Sequence, residues 1–435
     1  MTFVQIAALA VLALVVGVMI HGKLRSDVAA LSGAAALLLL GVVRPVEVQG
    51  AFASPAVIAL ACLFVIAYAI ELSGLLGLMI RQATRLCARL GAAGLWLVIG
   101  LGGAASAFLN NTPIVVLTAP VVKDVAASLG LSPKRFLIPV SYVSIMGGAC
   151  TLIGTSTNLL VNDMARNAGQ PVFSLFEITP VALVIALAGS LYLFLIGGRL
   201  LARGEARGGV GLGARPSDQT GDGQLGDAEL FRAADRPFDA RRAAASLTVF
   251  LLVVVTTGLG LAPIAASAFA GAVALILMRV LTPEQAYAGL RPEVLLLIAG
   301  MVVIGLSIEI TGLAASGADA LIGVVRPLGP LASLAILYGV TLFATELLSN
   351  AAVAVLITPV AVALAESLGV DPRPFLVAVM MAASAAFATP FGYQTNVLVF
   401  QLGGYSYMDF VRAGLPLNLV TWAAGLLIIP RVFPF

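Results

Sequence analysis

The sequence predicts an all-α polytopic membrane protein made of two inverted repeats, each of five transmembrane helices plus a re-entrant hairpin. Three observations carry this. Of the 435 residues, 60% are hydrophobic and 10% charged, and the mean hydropathy is +1.08, which is more apolar surface than one water-soluble core can bury. Apolar stretches of roughly 17–25 residues, the length of a spanning helix, recur along the chain. Polar breaks inside these stretches come in pairs: Phe108-Leu-Asn110-Asn111-Thr112-Pro113 is answered about 239 residues later by Leu348-Ser349-Asn350-Ala351, and Gly154-Thr-Ser-Thr157-Asn158 by Gly392-Tyr-Gln-Thr395-Asn396.

Taken in order, spans fall at 2–20, 27–43 and 55–73. The first lacks a basic leader and a small-residue cleavage site, so it reads as a retained span. Across 76–91, Arg81, Arg85 and Arg89 recur every four residues opposite Leu78, Met79 and Leu86, as in a helix lying in the membrane interface. Residues 94–129 form two short arms meeting at Asn110–Thr112, a re-entrant hairpin; 134–163 is a helix broken near Gly154; 176–198 is a further span. Residues 199–242, rich in Gly, Asp, Gln, Ser and Arg, read as a solvated linker. The order then repeats, with spans at 243–260, 263–281 and 292–312, an amphipathic piece at 313–328, a hairpin at 330–368, a broken helix at 372–400 and a last span at 408–431. The first repeat is thus 1–198 and the second 243–435. Glu71-Leu-Ser-Gly74 matches Glu309-Ile-Thr-Gly312, Pro120 matches Pro359, and Ser128-Leu-Gly130 matches Ser367-Leu-Gly369.

An odd number of crossings per half turns the second half upside down. With both termini outside, nineteen of the 24 lysines and arginines fall on the inner side, which sets the linker in the cytoplasm. The first hairpin then opens from the cytoplasm and the second from outside.

Unpaired backbone groups in hydrocarbon cost several kcal/mol each, so such breaks survive only where they are buried in protein or line a cavity. An arm that ends at a tip offers carbonyls to a hard cation such as sodium. An arm that starts there offers N–H groups and a positive dipole end to an anion. Thr112 is the expected N-cap of the second arm, with Pro113 as its first helical residue. Asn110, Asn111, Thr112, Ser349 and Asn350 add neutral donors and acceptors, and no Lys or Arg lies between 90 and 122 or between 327 and 372. Glu346, four residues before Asn350, is the acidic residue nearest either tip; it reads as the carrier of a coupling proton, a helper in holding a cation, or a structural hydrogen-bond partner. Glu71 and Glu309 adjoin no break and read as structural or interfacial, and Tyr393 either faces the cavity or packs.

Other classes fit poorly. A net charge of +3 spread over loops does not suggest a nucleic-acid partner. Cys62, Cys87 and Cys150 lack metal-ligand spacing and read as apolar packers. The single histidine, His21, stands in a basic loop, so neither a nucleophile with a base nor a metal cluster is evident for an enzyme, and no cofactor is expected. Hairpins also line channels, which differ from carriers in turnover.

The two hairpin signatures, each followed by G-x-x-T-N, resemble the divalent anion:sodium symporters of solute carrier family 13, within the ion transporter superfamily. The likeness covers nearly the whole chain. It implies sodium-coupled symport of a dicarboxylate or sulfate by a homodimer in the cell inner membrane, through an elevator mechanism. Carried over residue by residue, substrate contacts fall on Asn110, Asn111, Thr112, Thr157, Asn158, Ser349, Asn350, Ala351, Thr395 and Asn396. Sodium contacts fall on Asn111, Gly154, Asn350 and Gly392. Asn110 stands where the family has its first Ser and Ala351 where it has its second Thr, which removes a hydroxyl and favours sulfate or another anion over a dicarboxylate. The linker is too short for the regulatory domains that some relatives insert. The rival within the superfamily is a proton-coupled anion carrier or cation/proton antiporter using Glu346.

Overall fold

The computed structural model describes residues 2–21, 24–75, 77–78, 82, 90–197, 237–313, 329–390 and 392–435. The expected interfacial helix at 76–91, with Arg81, Arg85 and Arg89, and the amphipathic piece at 313–328 fall almost wholly outside them, as does nearly all of the linker and Cys87. Among the described residues every regular element is helical. The first half holds α1 Phe3–His21, α2 Ser26–Leu39, α3 Pro45–Phe52, α4 Pro55–Leu72, α5 Ala92–Ser106, α6 Asn111–Ser128, α7 Lys134–Gly148, α8 Ser156–Asn167 and α9 Thr179–Tyr192. The second holds α10 Ala240–Gly258, α11 Ile264–Leu277, α12 Pro283–Gly289, α13 Pro292–Ile310, α14 Gly329–Ala344, α15 Asn350–Leu368, α16 Arg373–Ala383, α17 Gln394–Gly403 and α18 Tyr407–Val432.

Two features depart from the sequence reading. Residues expected in loops form the short helices α3 and α12, because Pro45 and Pro283 occupy the first turn, Glu47 accepts from the Arg44 N–H at 2.6 Å, and Thr282 and Gln285 close a capping box. Helix α10 begins at Ala240, inside the range expected of the linker, because Asp239 accepts from the N–H groups of Arg241 and Arg242 and starts it there.

Packing across the halves repeats when the halves are exchanged. Helix α2 lies on α13 as α11 lies on α4, α3 on α13 as α12 on α4, and α8 on α15 as α6 lies on α17, while α9 meets α18. Two groups result. Helices α1–α4 pack with α10–α13, and the hairpins, broken helices and last helices, α5–α9 and α14–α18, pack with each other. Helices α7 and α16 sit innermost, buried along nearly their whole length. Small residues allow the closest approaches: a Cβ on Gly147 of α7 would overlap the Gly103 carbonyl of α5, and one on Gly300 of α13 would come within 2.8 Å of the Ala30 backbone of α2. Among the described residues six spans, including Thr179–Gly197, Pro292–Ile310 and Asn350–Leu368, are long and apolar enough to cross a membrane. Outward-facing Leu251, Leu252 and Val255 on α10 give the kind of apolar surface that lipid covers.

Candidate functional site

Each hairpin tip is a helix start with a built cap. Asn110, and not Thr112, is the N-cap of α6: its Oδ1 accepts from the Thr112 N–H at 3.2 Å, which makes Asn111 the first helical residue and puts Thr112 and Pro113 inside the first turn. The cap moves upstream because Asn caps at least as well as Thr, and a proline anywhere in the first turn lacks only an N–H that has no intrahelical acceptor. At the second tip Ser349 caps α15, its Oγ accepting from the Ala352 N–H at 3.3 Å. Just inside each cap the first helical amide is clasped by a hydroxyl five residues earlier. Ser106 donates to Asn111 Oδ1, and Thr345 Oγ1 lies 2.8 Å from Asn350 Oδ1 and 2.7 Å from the Ala383 carbonyl.

The breaks between α7 and α8 and between α16 and α17 are built alike. Thr151 donates to the Ala107 carbonyl and accepts from Gly154 N–H at 3.1 Å. Thr389 accepts from Gly392 N–H at 3.1 Å and lies 3.3 Å from the Glu346 carbonyl, Glu346 being the counterpart of Ala107. Asn158 Nδ2 donates to the carbonyls of Ala149 and Thr151 at 3.2 and 2.9 Å, and Asn396 Nδ2 to those of Ala386 and Thr389 at 2.8 and 3.2 Å. These two amides therefore brace the breaks from within. Thr395 is buried against Ser141 of α7, whose Oγ lies 2.8 Å from its hydroxyl and 2.7 Å from Asn396 Oδ1, and Thr157 is buried in the first turn of α8.

Gly154 lies where carbonyls from two segments converge, since a Cβ there would overlap Gly148 O and come within 2.7 Å of Ala107 O. Carbonyl clusters of this kind suit a hard cation. At Gly392 a Cβ would meet Thr389 Oγ1 at 3.0 Å and Glu346 Oε2 at 3.4 Å. Among the described residues, each half also leaves one buried amide oxygen without a donor, Asn158 Oδ1 in the first and Asn418 Oδ1 of α18 in the second.

Tyr393 joins the halves. As the N-cap residue of α17 it accepts from Asn111 Nδ2 at 2.8 Å through its hydroxyl, and it interacts with Thr155, the N-cap of α8. Three helix starts thus meet at one phenol, and Thr112 Oγ1 lies 3.4 Å from Gln394 Oε1 beside it. Asn111, Thr112, Gly154 and the α17 start are therefore brought together, while Asn350 is held on its own side through Thr345 and Ala383. Ala351 is half-buried at the second position of α15 and contributes no polar atom.

Glu346 is committed to hydrogen bonds. Oε1 accepts from the N–H groups of Phe387 and Ala388 at 2.9 and 2.7 Å and from Asn418 Nδ2 at 2.7 Å; Oε2 accepts from Thr389 N–H and Oγ1, both at 2.9 Å. The sequence reading allowed for such a structural partner but not for its extent. Ser106, Ser141, Thr151, Thr345, Thr389 and Asn418 were not singled out from sequence. Aligning the halves would have exposed most of them, because Ser106 falls on Thr345 and Thr151 on Thr389. Glu309 lies at the far end of α13, where its Oε2 is buried without a partner among the described residues. Cys62 and Cys150 are buried, free thiols.

Comparison with known proteins agrees with this architecture. Residues 15–370 match the model of the CitMHS family, described as a citrate transporter. The chain is 24% identical to the uncharacterized transporter sll0640 of Synechocystis, covering 94% of each chain. It is also 24% identical to the uncharacterized transporter YfbS of Escherichia coli, covering 98% of this chain and 99% of that one. A stretch covering 23% of this chain and 12% of the other is 38% identical to sodium/sulfate cotransporter 1 of Chlamydomonas reinhardtii. The fold is shared with the YdaH transporter of Alcanivorax borkumensis, at a TM-score of 0.60 and 15% identity over 88% of this chain and 86% of that one. MtrF of Neisseria gonorrhoeae shares it too, at a TM-score of 0.60 and 13% identity over 90% and 83%. With matched hairpins and breaks in both halves and a family model that spans most of its length, this chain belongs to the CitMHS citrate transporter family, as a membrane-spanning secondary transporter with sodium/sulfate cotransporters among its relatives.

Proposed function

We propose that the protein is a sodium-coupled symporter of a small divalent anion, a dicarboxylate or sulfate. The observation that carries this is the pairing of two capped helix starts, at Asn111 and Asn350, with two glycine breaks, at Gly154 and Gly392, where oxygen atoms gather. The helix starts favour an anion through free N–H groups and the dipole, and the oxygen clusters favour a cation. With no Lys or Arg between 90 and 122 or between 327 and 372, the anion's charge has no side-chain counterion, so bound sodium supplies it. The relatives named as sodium/sulfate cotransporters point the same way.

In this reading α5–α9 and α14–α18 move as the elevator against α1–α4 and α10–α13. The halves are inverted repeats and the protein works as a homodimer in a bacterial inner membrane, with both termini outside and the 199–242 linker in the cytoplasm. Proton coupling through Glu346 is the weaker reading, because a carboxylate already accepting five hydrogen bonds would have to give one up to take a proton.

The test is thermal unfolding of the purified protein with sulfate, succinate, malate, citrate and phosphate, each in sodium chloride and in choline chloride. A ligand that binds the native state raises its stability by mass action. The proposal expects at least one divalent anion to raise the midpoint only in sodium. Stabilisation that is indifferent to sodium and shifts steeply with pH would move the mechanism to proton coupling.

A further inference from the structure

The first hairpin tip is closed over by the other half of the chain, and the second is not. The matching breaks read Gly154-Thr-Ser-Thr157-Asn158 and Gly392-Tyr-Gln-Thr395-Asn396, so the first half has Thr155 and Ser156 where the second has the bulkier Tyr393 and Gln394. The second break passes the second hairpin at Gly392, where a Cβ would lie 3.4 Å from Glu346 Oε2, and Glu346 stands four residues before Asn350. From the next residue the Tyr393 side chain reaches the first tip: its hydroxyl accepts from Asn111 Nδ2 at 2.8 Å and meets Thr155. Gln394 Oε1 lies 3.4 Å from Thr112 Oγ1. The phenol ring therefore stands between the two hairpins.

The tips differ accordingly in what they can still offer a ligand. At the first, Asn111 is 1% exposed, and its amide is engaged on both sides, by Ser106 and by Tyr393. Asn110 takes the Thr112 N–H and Pro113 has none, so the first turn of α6 keeps only the N–H of buried Asn111. At the second, Ser349, Asn350 and Ala351 are half-buried. Among the described residues the Asn350 side chain is engaged on one side only, by Thr345. The N–H groups of Asn350 and Ala351 both lie in the first turn and are free of the cap, which goes to Ala352. A charged group that enters such a site needs donors in exchange for its water. Only the second tip still presents them.

We propose that Tyr393, with Gln394 beside it, is a size gate that closes the first tip to the transported anion. The anion is then held at the second tip alone and is a compact dianion with its charge on one centre, such as sulfate. A dicarboxylate has two separated charged ends, and the second of them would meet the phenol ring instead of a helix start, an unpaired charge that disfavours it. Asn111 and Thr112 serve to hold Tyr393 and Gln394 in place. The inference rests on the symport reading and narrows its substrate class.

The experiment titrates sulfate, succinate, glutarate and citrate into the purified full-length protein in sodium chloride and reads the half-maximal concentration for the rise in unfolding midpoint. For the wild type, sulfate is expected to act at a concentration lower by at least about tenfold than any of the three carboxylates, the size of one lost hydrogen bond to a charged group. Tyr393→Thr combined with Gln394→Ser gives the second break the residues of the first, and should narrow the sulfate-to-succinate ratio by at least about tenfold. Tyr393→Phe keeps the ring and, whatever it does to overall affinity, should keep that ratio within about threefold of wild type. The inference is overturned if succinate, glutarate or citrate matches sulfate on the wild type, if the double variant keeps the wild-type ratio, or if Tyr393→Phe loses it as fully as the double variant does. Should the double variant not fold, Gln394→Ser alone decides, since it changes an exposed position and should narrow the ratio by at least about threefold; an unchanged ratio overturns the inference. If no anion stabilises the wild type in sodium, the symport reading falls as well, which separates the two failures.

Discussion

Tyr393 shows how much one side chain holds at the centre of this fold. Its hydroxyl accepts a hydrogen bond from Asn111 Nδ2 at 2.8 Å and joins three helix starts. Tyr393→Phe leaves Asn111 Nδ2 without that acceptor while keeping the ring. The expected cost is about 1 kcal/mol of stability, read as a midpoint lowered by a few degrees, together with weaker anion binding. An unchanged midpoint and unchanged binding would mean that the hydroxyl is a bystander. Ala351 offers the converse test. It occupies the second position of a capped helix start and carries no polar atom, so Ala351→Thr adds a hydroxyl beside the second tip. The expected result is a several-fold gain in affinity for dicarboxylates relative to sulfate, since one added hydrogen bond contributes about 1 kcal/mol. Competition between succinate and sulfate in the thermal assay reads it.

At the scale of elements, the hairpins and breaks depend on close backbone approach and on caps. Gly147 on α7 and Gly414 on α18 have no room for a methyl group, the first against the Gly103 carbonyl of α5 and the second against the Phe387 carbonyl in the second break. Gly414→Ala pushes against the segment whose N–H groups hold Glu346, and overpacking of this kind costs about 1–3 kcal/mol. The variant should lose sodium-dependent stabilisation before it loses helix content by circular dichroism; loss of both together would contradict a local effect. Ser349→Ala removes a cap worth about 1 kcal/mol and should destabilise α15 by that order, read as a lower unfolding midpoint. Much of this layer was legible in the sequence. The paired Asn-rich tips, Pro120 with Pro359, and Gly154 with Gly392 are local patterns that survive in single letters. The clasps from Thr151 to Ala107 and from Glu346 to 387–389 were not, because they join segments about 40 residues apart whose contact only the hairpin geometry creates. Helices α3 and α12 escaped because seven or eight residues between two spans carry too little periodicity to outweigh their loop-like prolines.

For the whole molecule, the exchange symmetry of the helix packing is the property from which the rest follows. A chain whose halves answer each other helix by helix can present equivalent tips from opposite sides, and a mechanism that alternates between two faces needs that equivalence. The departure from symmetry is then informative: Glu346 stands where the first tip has Ala107, so an acidic side chain lies on one side of an otherwise matched pair. The most direct measurement of the central claim is uptake of radiolabelled sulfate and succinate into proteoliposomes of the purified protein, with sodium or choline outside and no other gradient. The account predicts saturable uptake of at least one divalent anion, driven by an inward sodium gradient and abolished in choline. Equal uptake in sodium and in choline would contradict it.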